Sequence, residues 1–218
     1  KMIKQKSNCV ELVFRIKIGI LQIVMKSSDI HIYQTPDKVL KTICSPISPS
    51  EINNDSTRKI VMEMKQALAE SGDGVAIAAP QIGHTVRIFV VAGSILDHVN
   101  NYHGELISPD KAFINPEIIK ASKTKKPMRG EGCLSVRFIY GTTKRSDKVT
   151  VKAYDETGKE FIMTGTGLLA QIFQHEIDHL DGVLFIDHAH EIREMTAEEK
   201  ENYKIELEKM REERMLDI

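Results

Sequence analysis

The segment that most constrains the fold of this 218-residue chain reads QHEIDHLDG and spans residues 174–182. The run before it, GLLAQIF, is strongly apolar, so the two together predict one buried helix that follows Gly167, runs through about His179 and is ended by Gly182. On such a helix His175 and His179 lie about 40° apart, on one face. Buried imidazoles need partners, and two on one face can grip a single metal ion. We therefore expect a polar site inside the core.

Glu176 lies about 100° around this predicted helix from His175, beside both histidines. In an HExxH metal site, a glutamate at this place takes a proton from a metal-bound water. The same letters also occur by chance on surface helices, where the two histidines are simply solvated. The apolar run before the motif favours the metal site over the surface helix.

Two histidines need a third protein ligand, and the sequence offers several sources. A metzincin pattern would place a histidine where the chain has Phe185, and His188 comes three residues too late. A thermolysin-like site would take Glu198 or Glu199 from the C-terminal region, which is rich in glutamates. Cys133, in GEGCLS, would complete a His₂Cys set and leave a fourth position open for water. A free cysteine is more often a small buried hydrophobe, so these interpretations stay open at this point.

The segment GVAIAAPQIG, residues 74–83, offers an extended backbone and one side-chain amide, that of Gln81. It is not a dinucleotide fingerprint, because it follows a predicted helix and Ile77 stands at the third glycine position. A neutral amide beside a metal can donate a hydrogen bond to a developing oxyanion. A loop glutamine by itself is more often a surface group.

The rest of the pattern predicts strands and helices around the central helix. Ser56 is placed to cap a helix that runs to about Ala69, and TAEE opens a charged helix from Thr196 to Arg214. Apolar or alternating runs at 87–91, 111–119 and 148–155 predict strands, and the last continues into a hairpin through DETGK.

We therefore expect an α+β fold, with mixed or antiparallel strands around the central helix and an additional C-terminal helix. The expected division is an N-terminal extension at 1–27, a catalytic domain at 28–190 and a charged helix at 191–218.

Composition limits the partners and the compartment. The formal net charge of −1 gives no general attraction to nucleic acid, so we expect no DNA partner. Three cysteines are no disulfide framework and fit a reducing compartment. Charges interrupt the apolar run at 10–25, which makes it a poor membrane span and a weak secretory signal. It reads as upstream sequence or an extra strand, although its basic excess also fits the remnant of an organelle transit sequence.

Taken together, GVAIAAPQ, EGCLS and QHEIDH resemble the three ordered motifs of the peptide deformylase family. The family pattern is Gly-apolar-Gly-apolar-Ala-Ala-x-Gln, then Glu-Gly-Cys-x-Ser, then Gln-His-Glu-x-Asp-His. The similarity runs from about Asp29 to Asp187 and includes QTPDKVL and INPEI. It implies a metal-dependent hydrolase that removes the N-formyl group from the initiating methionine of newly made polypeptides and releases formate. The expected location is the bacterial cytoplasm, or an organelle if residues 1–27 are a transit remnant.

The resemblance also implies roles for individual residues. The metal would be held by Cys133, His175 and His179, with Glu176 as general base and with the Gln81 side chain and the Leu134 N–H as oxyanion donors. The substrate would lie along Gly74, Val75 and Ala76, its methionine side chain in a pocket lined by Val75, Leu168 and Ile172, while Glu131 and Arg145 would form a supporting ion pair. Fe(II) is the implied native metal and zinc a less active occupant, while nickel and cobalt also suit these ligands.

Four positions depart from the family pattern. Ala76 replaces the second glycine of the first motif, and Tyr140 stands where many bacterial members have an arginine. Arg129 and Gln171 stand where apolar pocket residues are common. None of the four is a ligand or the base, so we expect them to change the preferred peptide rather than the reaction.

Two rival interpretations belong to other classes. One is a zinc peptidase that uses Glu199 as its third ligand, and the other is a metal-stabilised module that binds ribosomes without catalysis. The C-terminal helix offers basic side chains that suit either a ribosome contact or a solvated face: Lys200, Lys204, Lys209, Arg211 and Arg214.

Overall fold

The computed structural model describes residues 30–99 and 108–216, so the predicted N-terminal extension and its apolar run lie outside the described residues. The described strands are β1 (Ala76–Ala78), β2 (Ile88–Val91), β3 (Lys111–Ala121), β4 (Lys125–Cys133), β5 (Val136–Ser146), β6 (Lys148–Tyr154), β7 (Glu160–Thr166) and β8 (His190–Glu194). The described α-helices are α1 (Asp55–Ser71), α2 (Gly93–Val99), α3 (Leu168–Leu180) and α4 (Ala197–Leu216). None of the described helices combines the length and the apolar composition that a bilayer crossing requires.

The strands form two antiparallel sheets. The larger has the order β1-β2-β3-β6-β7 and the smaller has the order β4-β5-β8. The predicted hairpin through DETGK is β6–β7, in which Lys148 pairs with Thr166. Pro116 lies within β3, where the register with β6 shifts between Ile114 and Glu117. The predicted α+β class is confirmed.

The larger sheet is covered by a helix on each face, which explains why β2 is apolar throughout. Phe89 and Val91 belong to the core cluster that includes α3, whereas Ile88 and Val90 belong to the cluster that includes α1. Successive side chains of a strand point to opposite faces, so a strand covered on both sides has no polar positions. This packing holds α3 as an interior element.

Glycines flank helix α3, as predicted: Gly167 is its N-cap, and Gly182 follows its C-cap Asp181. Gly182 has φ +73°, and a Cβ built on it would come within 2.6 Å of the Lys41 carbonyl oxygen. Only glycine fits there, because an L side chain would meet both a strained backbone and a clash. The prediction of Ser56 as the cap of α1 is wrong. Asn54 is the cap, and its Oδ1 accepts from the Thr57 N–H at 2.8 Å.

The smaller sheet contains a strand that the sequence did not indicate. Strand β8 is exposed along its whole length and pairs with β5, so it offers no apolar alternation to detect. Helix α4 follows it and opens with the predicted capping box. Thr196 Oγ1 accepts from the Glu199 N–H at 3.2 Å, and Glu199 accepts from the Thr196 N–H at 2.8 Å.

Candidate metal centre

Cys133, His175 and His179 form one cluster between the smaller sheet and α3. One donor atom from each lies within 4.8 Å of the other two, and His179 Nε2 is 3.1 Å from Cys133 Sγ. Helical spacing puts the histidines side by side, while Cys133 arrives at the end of β4. Ligands on one tetrahedral zinc ion lie about 3.5 Å apart, given metal–sulfur and metal–nitrogen bonds of roughly 2.3 and 2.0 Å. The three side chains therefore fit one cation of this size.

The other proposed third ligands do not reach this cluster. Glu199 is engaged elsewhere, since its carboxylate accepts from Arg193 Nη1 at 2.7 Å and caps α4. Phe185, at the metzincin position, stacks on His175 with ring centroids 6.1 Å apart. Among the described residues, the one cluster of three potential metal-binding groups is the cysteine–histidine set.

The sulfur of Cys133 lies among N–H donors. The Ser135 N–H points to it at 3.4 Å and Gln81 Nε2 at 3.5 Å. Such donors suit a sulfur that carries negative charge, the form in which cysteine binds metals. Gln81 is buried, and its amide also donates to Ser135 Oγ at 3.1 Å. Leu134 lies in the turn between β4 and β5, where its carbonyl accepts from Gln34 Nε2 at 2.9 Å.

The buried carboxylate of Glu131 holds the His175 ring at Nδ1, the nitrogen that does not face the metal site. Its two oxygens accept from His175 Nδ1 at 2.8 Å, Thr143 Oγ1 at 2.6 Å, Gln171 Nε2 at 3.0 Å and two nitrogens of Arg145 at 2.5 and 3.0 Å. Burial alone would raise the pKa of Glu131, but the hydrogen bonds from His175 and Arg145 outweigh it and hold this pKa well below its usual range. The carboxylate is therefore charged, which fixes His175 with Nδ1 as the donor and leaves Nε2 for a metal.

Arg145 extends this support back to α3. Its Nη1 donates to Asp178 at 2.7 Å, one residue before His179. Burial would lower the pKa of Arg145, but the hydrogen bond and the charge of Glu131 raise it. The chain His175–Glu131–Arg145–Asp178 thus ties both ends of the motif to strands β4 and β5.

The two histidines of the cluster have opposite pKa shifts. Burial opposes a charged imidazole at His175, but its hydrogen bonds with Cys133 and Glu131 outweigh burial and raise its pKa. At His179, burial and the charge of His175 lower the pKa well below its ordinary value, so that ring is neutral. Metal ligation needs a thiolate and neutral imidazoles. A bound cation would take the place of a proton at His175 and would bind the already neutral ring of His179.

Glu176 is the second acid of the site and has a different environment. Burial raises its pKa to about 7, and the charge of His175 partly opposes this. Its Oε2, like His179 Nδ1, is buried and without a hydrogen-bond partner among the described residues. A buried polar atom without a protein partner is costly unless it meets water or a ligand. Glu176 is therefore placed to act on a small molecule beside the metal centre.

One cavity of about 390 Å³ joins this centre to the surface, and it contains the residues that the motifs assign to the substrate. Glu176, His175, Cys133 and Gln81 lie along its inner part. The predicted substrate residues Gly74, Val75, Ala76, Leu168 and Ile172 also line it, as does Leu134, the predicted oxyanion donor. Ile172 is buried, whereas Val75 and Leu168 are about two-fifths exposed at the mouth.

The family model described as Polypeptide deformylase matches residues 30–195, a stretch that holds all three motifs and the whole cluster. The chain belongs to the peptide deformylase family. Peptide deformylases remove the N-formyl group from newly made polypeptides, and the chain is a hydrolase of this kind. The predicted family, reaction and enzyme class are confirmed. Deformylases are metal-dependent, and the candidate cysteine–histidine site of this deformylase leaves the identity of the metal open.

Curated deformylases are similar over most of their length. Peptide deformylase 2 of Clostridium acetobutylicum is 39% identical over 151 residues, which are 69% of this chain and 89% of that protein. The peptide deformylase of Erythrobacter litoralis is 34% identical over 196 residues, which are 83% of this chain and 96% of that protein.

Solved deformylase structures share the fold. A peptide deformylase from Synechococcus elongatus in complex with actinonin matches with a TM-score of 0.63 and 32% identity, over 76% of this chain and 81% of that one. A class I type b peptide deformylase from Acinetobacter baumannii bound to Met-Ala-Ser matches with a TM-score of 0.64 and 29% identity, over 74% of this chain and 99% of that one.

The four departures from the deformylase pattern all line the cavity. The amide of Gln171 is bound to Glu131, which explains a polar residue beside a pocket. The ring of Tyr140 lies against Gly132, where an added Cβ would come within 2.8 Å of Tyr140 Cε1. Arg129 is exposed at the rim, and Ala76 is buried in β1.

Sequence reasoning missed several residues of this deformylase site. Thr143 shares a strand face with Arg145, so the period of two in β5 was a usable signal for it. Asp178 stands inside QHEIDH, but the motif alone does not indicate that it accepts from Arg145. Asp73, Arg137 and Tyr203, which also line the cavity, leave no local signal in the sequence.

Proposed function

We propose that this deformylase binds one divalent cation through Cys133, His175 and His179, with Fe(II) as the native occupant and zinc as a less active one. Nickel and cobalt suit the same donors. The observation that carries the proposal is the convergence of one sulfur and two imidazoles within 4.8 Å. When bound, the cation supplies a positive charge that polarises the formyl carbonyl and makes water more acidic.

Glu176 is the general base in the proposed reaction. Its buried Oε2 accepts a proton from the attacking water while the water oxygen bonds to the formyl carbon. The same carboxyl group then gives this proton to the amine nitrogen as the carbon–nitrogen bond breaks. The products are formate and a polypeptide with a free amino terminus.

Gln81 Nε2 and the Leu134 N–H are the proposed donors to the formyl oxygen. Gln81 Oε1 accepts from the Ala78 N–H at 2.8 Å, which turns Nε2 toward Cys133. Hydrogen bonds with the Ala78 N–H and Ser135 Oγ already hold the Gln81 amide, and the Leu134 N–H belongs to the backbone next to Cys133, so both donors need little reorganisation as charge develops on the oxygen. Glu131 and Arg145 have a positioning role, since they hold the His175 ring.

The proposed substrate lies in the cavity with its backbone along Gly74, Val75 and Ala76. Its methionine side chain enters between Val75, Leu168 and Ile172. The binding of Met-Ala-Ser by the Acinetobacter baumannii relative supports a peptide that begins with methionine as the ligand. Because the Gln171 amide is already bonded to Glu131, the pocket wall keeps its apolar character.

Replacing Cys133 by alanine should lower the equilibrium metal content at least tenfold, because the set loses its one sulfur ligand. The measurement is elemental analysis of anaerobically purified protein, paired with a formate-release assay on a formyl-Met peptide. Cys44→Ala is the matched control: Cys44 is a buried thiol whose pKa burial raises to about 11, and it belongs to the apolar core. Full metal retention by Cys133→Ala would contradict the ligand assignment.

We also propose that α4 contacts the ribosome through the basic set Lys200, Lys204, Lys209, Arg211 and Arg214. Lys200 and Lys204 already lie near Glu194 and Glu201, at 2.5 and 3.7 Å, so this contact would exchange acidic partners for phosphates. Co-sedimentation with ribosomes should weaken steeply as salt is raised. Co-sedimentation that does not change with salt concentration, or that is absent at low salt, would contradict this role.

The proposed location follows from the substrate and from the sparse cysteines. Formylated chains are made where ribosomes initiate with formyl-methionine, so we propose the bacterial cytoplasm, or an organelle if residues 1–27 are a transit remnant. The division into 1–27, 28–190 and 191–218 is likewise a proposal. A chain that begins at Met25 tests both the domain division and the transit remnant. Its turnover should match that of the full chain. If residues 1–27 direct the protein to an organelle, cell fractionation should find the shortened chain outside that organelle.

A further inference from the structure

At the outer part of the cavity, three side chains from three different elements meet: Asp73 before β1, Arg137 on β5 and Tyr203 on α4. Arg137 Nη1 donates to the two oxygens of Asp73 at 2.9 and 3.1 Å and to the Tyr203 hydroxyl at 2.9 Å. The Tyr203 hydroxyl in turn donates to Asp73. All three side chains are partly buried, so the contact holds its geometry better than an exposed pair would.

The same contact anchors α4 to the cavity wall. The Tyr203 ring meets the Phe138 ring edge to face, with centroids 5.8 Å apart, and Lys200 Nζ lies 5.5 Å from the centre of Phe138. Helix α4 is otherwise highly charged and carries few apolar residues. These aromatic and hydrogen-bonded contacts therefore hold α4 against β5 at this end of the cavity.

Arg137 keeps unused donors. A guanidinium carries five N–H groups, and every contact described above uses Nη1. Within the described residues, neither Nε nor Nη2 of Arg137 donates a hydrogen bond, and the side chain is 24% exposed. These two nitrogens lie at the open part of the cleft, where they can donate hydrogen bonds to a backbone carbonyl of a bound peptide.

We propose that Arg137, held in place by Asp73 and Tyr203, is a specificity-determining residue that donates hydrogen bonds to the substrate backbone beyond the formyl-methionine. Helix α4 then contributes to substrate binding, because its Tyr203 holds Arg137 in position. This inference rests on the proposed use of the cavity as the substrate cleft. It differs from a purely structural clamp, which would stabilise the fold without sensing the length of the peptide.

The experiment compares three substrates of increasing length: the C-terminal amides of formyl-Met, formyl-Met-Ala and formyl-Met-Ala-Ser. Amides are needed because a free carboxylate would itself pair with a guanidinium. For Arg137→Ala we expect kcat/KM to fall about tenfold on the longest substrate, mainly through KM, and to stay within about twofold on formyl-Met amide. Tyr203→Phe, which keeps the ring but loses the hydroxyl, should fall about threefold in the same length-dependent way.

Arg193→Ala is the matched control, because it removes an arginine that pairs with Glu199 at the start of α4 outside the cavity. It should leave the length dependence unchanged. An equal loss on all three substrates, or no loss on any, would overturn the proposal. If Arg137→Ala folds poorly, Arg137→Lys allows the same comparison. Turnover of formyl-Met amide by the wild type bears on the proposed function alone, so the two can fail separately.

Discussion

Glu176→Gln is expected to retain the metal and to release formate about 10²–10⁴ times more slowly than the wild type. Glutamine has nearly the volume of glutamate, so the buried site keeps its packing. It cannot accept and then return a proton, which is the step assigned to Glu176. The ligand set does not include Glu176, and the metal content should therefore stay at the wild-type level.

The measurement is steady-state formate release together with elemental analysis of the same preparation. Glu198→Gln makes the same chemical exchange at an exposed position on α4 and should change neither quantity. Glu176→Asp keeps a carboxylate on a shorter arm and should fall between wild type and Glu176→Gln. A near-wild-type rate for Glu176→Gln would show that another group takes the proton.

The central helix could be predicted from the sequence because its evidence is local. Apolar spacing fixes the buried face, and the same period puts His175 and His179 side by side. The partner Cys133 lies 46 positions before His179, and spacing carries no information over that distance. Its place required the order of three motifs, a pattern of the whole family rather than of this helix.

The failures have equally physical causes. Asn54 and Ser56 are both good caps, and which of them begins α1 depends on the turn before it, where Thr57 Oγ1 also donates to the Glu51 carbonyl at 2.8 Å. The contact of Tyr203 with Asp73 joins residues 130 positions apart. It is made in a region where the sequence shows only a charged helix, so no periodicity could indicate it.

Gln81→Leu is expected to lower kcat about 10²–10³-fold and to change KM little, a loss of roughly 3–4 kcal/mol of transition-state stabilisation. The orientation of the amide carries this expectation. The Ala78 N–H at 2.8 Å can only donate, so the atom facing it is Oε1 and Nε2 must face Cys133 and Ser135. An N–H fixed beside the metal ligand strengthens its contact only as the formyl oxygen gains charge, and such contacts affect kcat rather than KM.

Leucine also leaves the Ala78 N–H without its partner, which costs about 1–3 kcal/mol of stability, so a melting curve must accompany the kinetics. Ser135→Ala separates the two effects, because it removes the neighbour that Gln81 binds and leaves the N–H donor in place. It should lower kcat far less than Gln81→Leu does. If both variants lose the same activity, the amide acts by packing alone. If Gln81→Leu raises KM and spares kcat, Gln81 binds the ground state and the oxyanion role must pass to Leu134 and the cation.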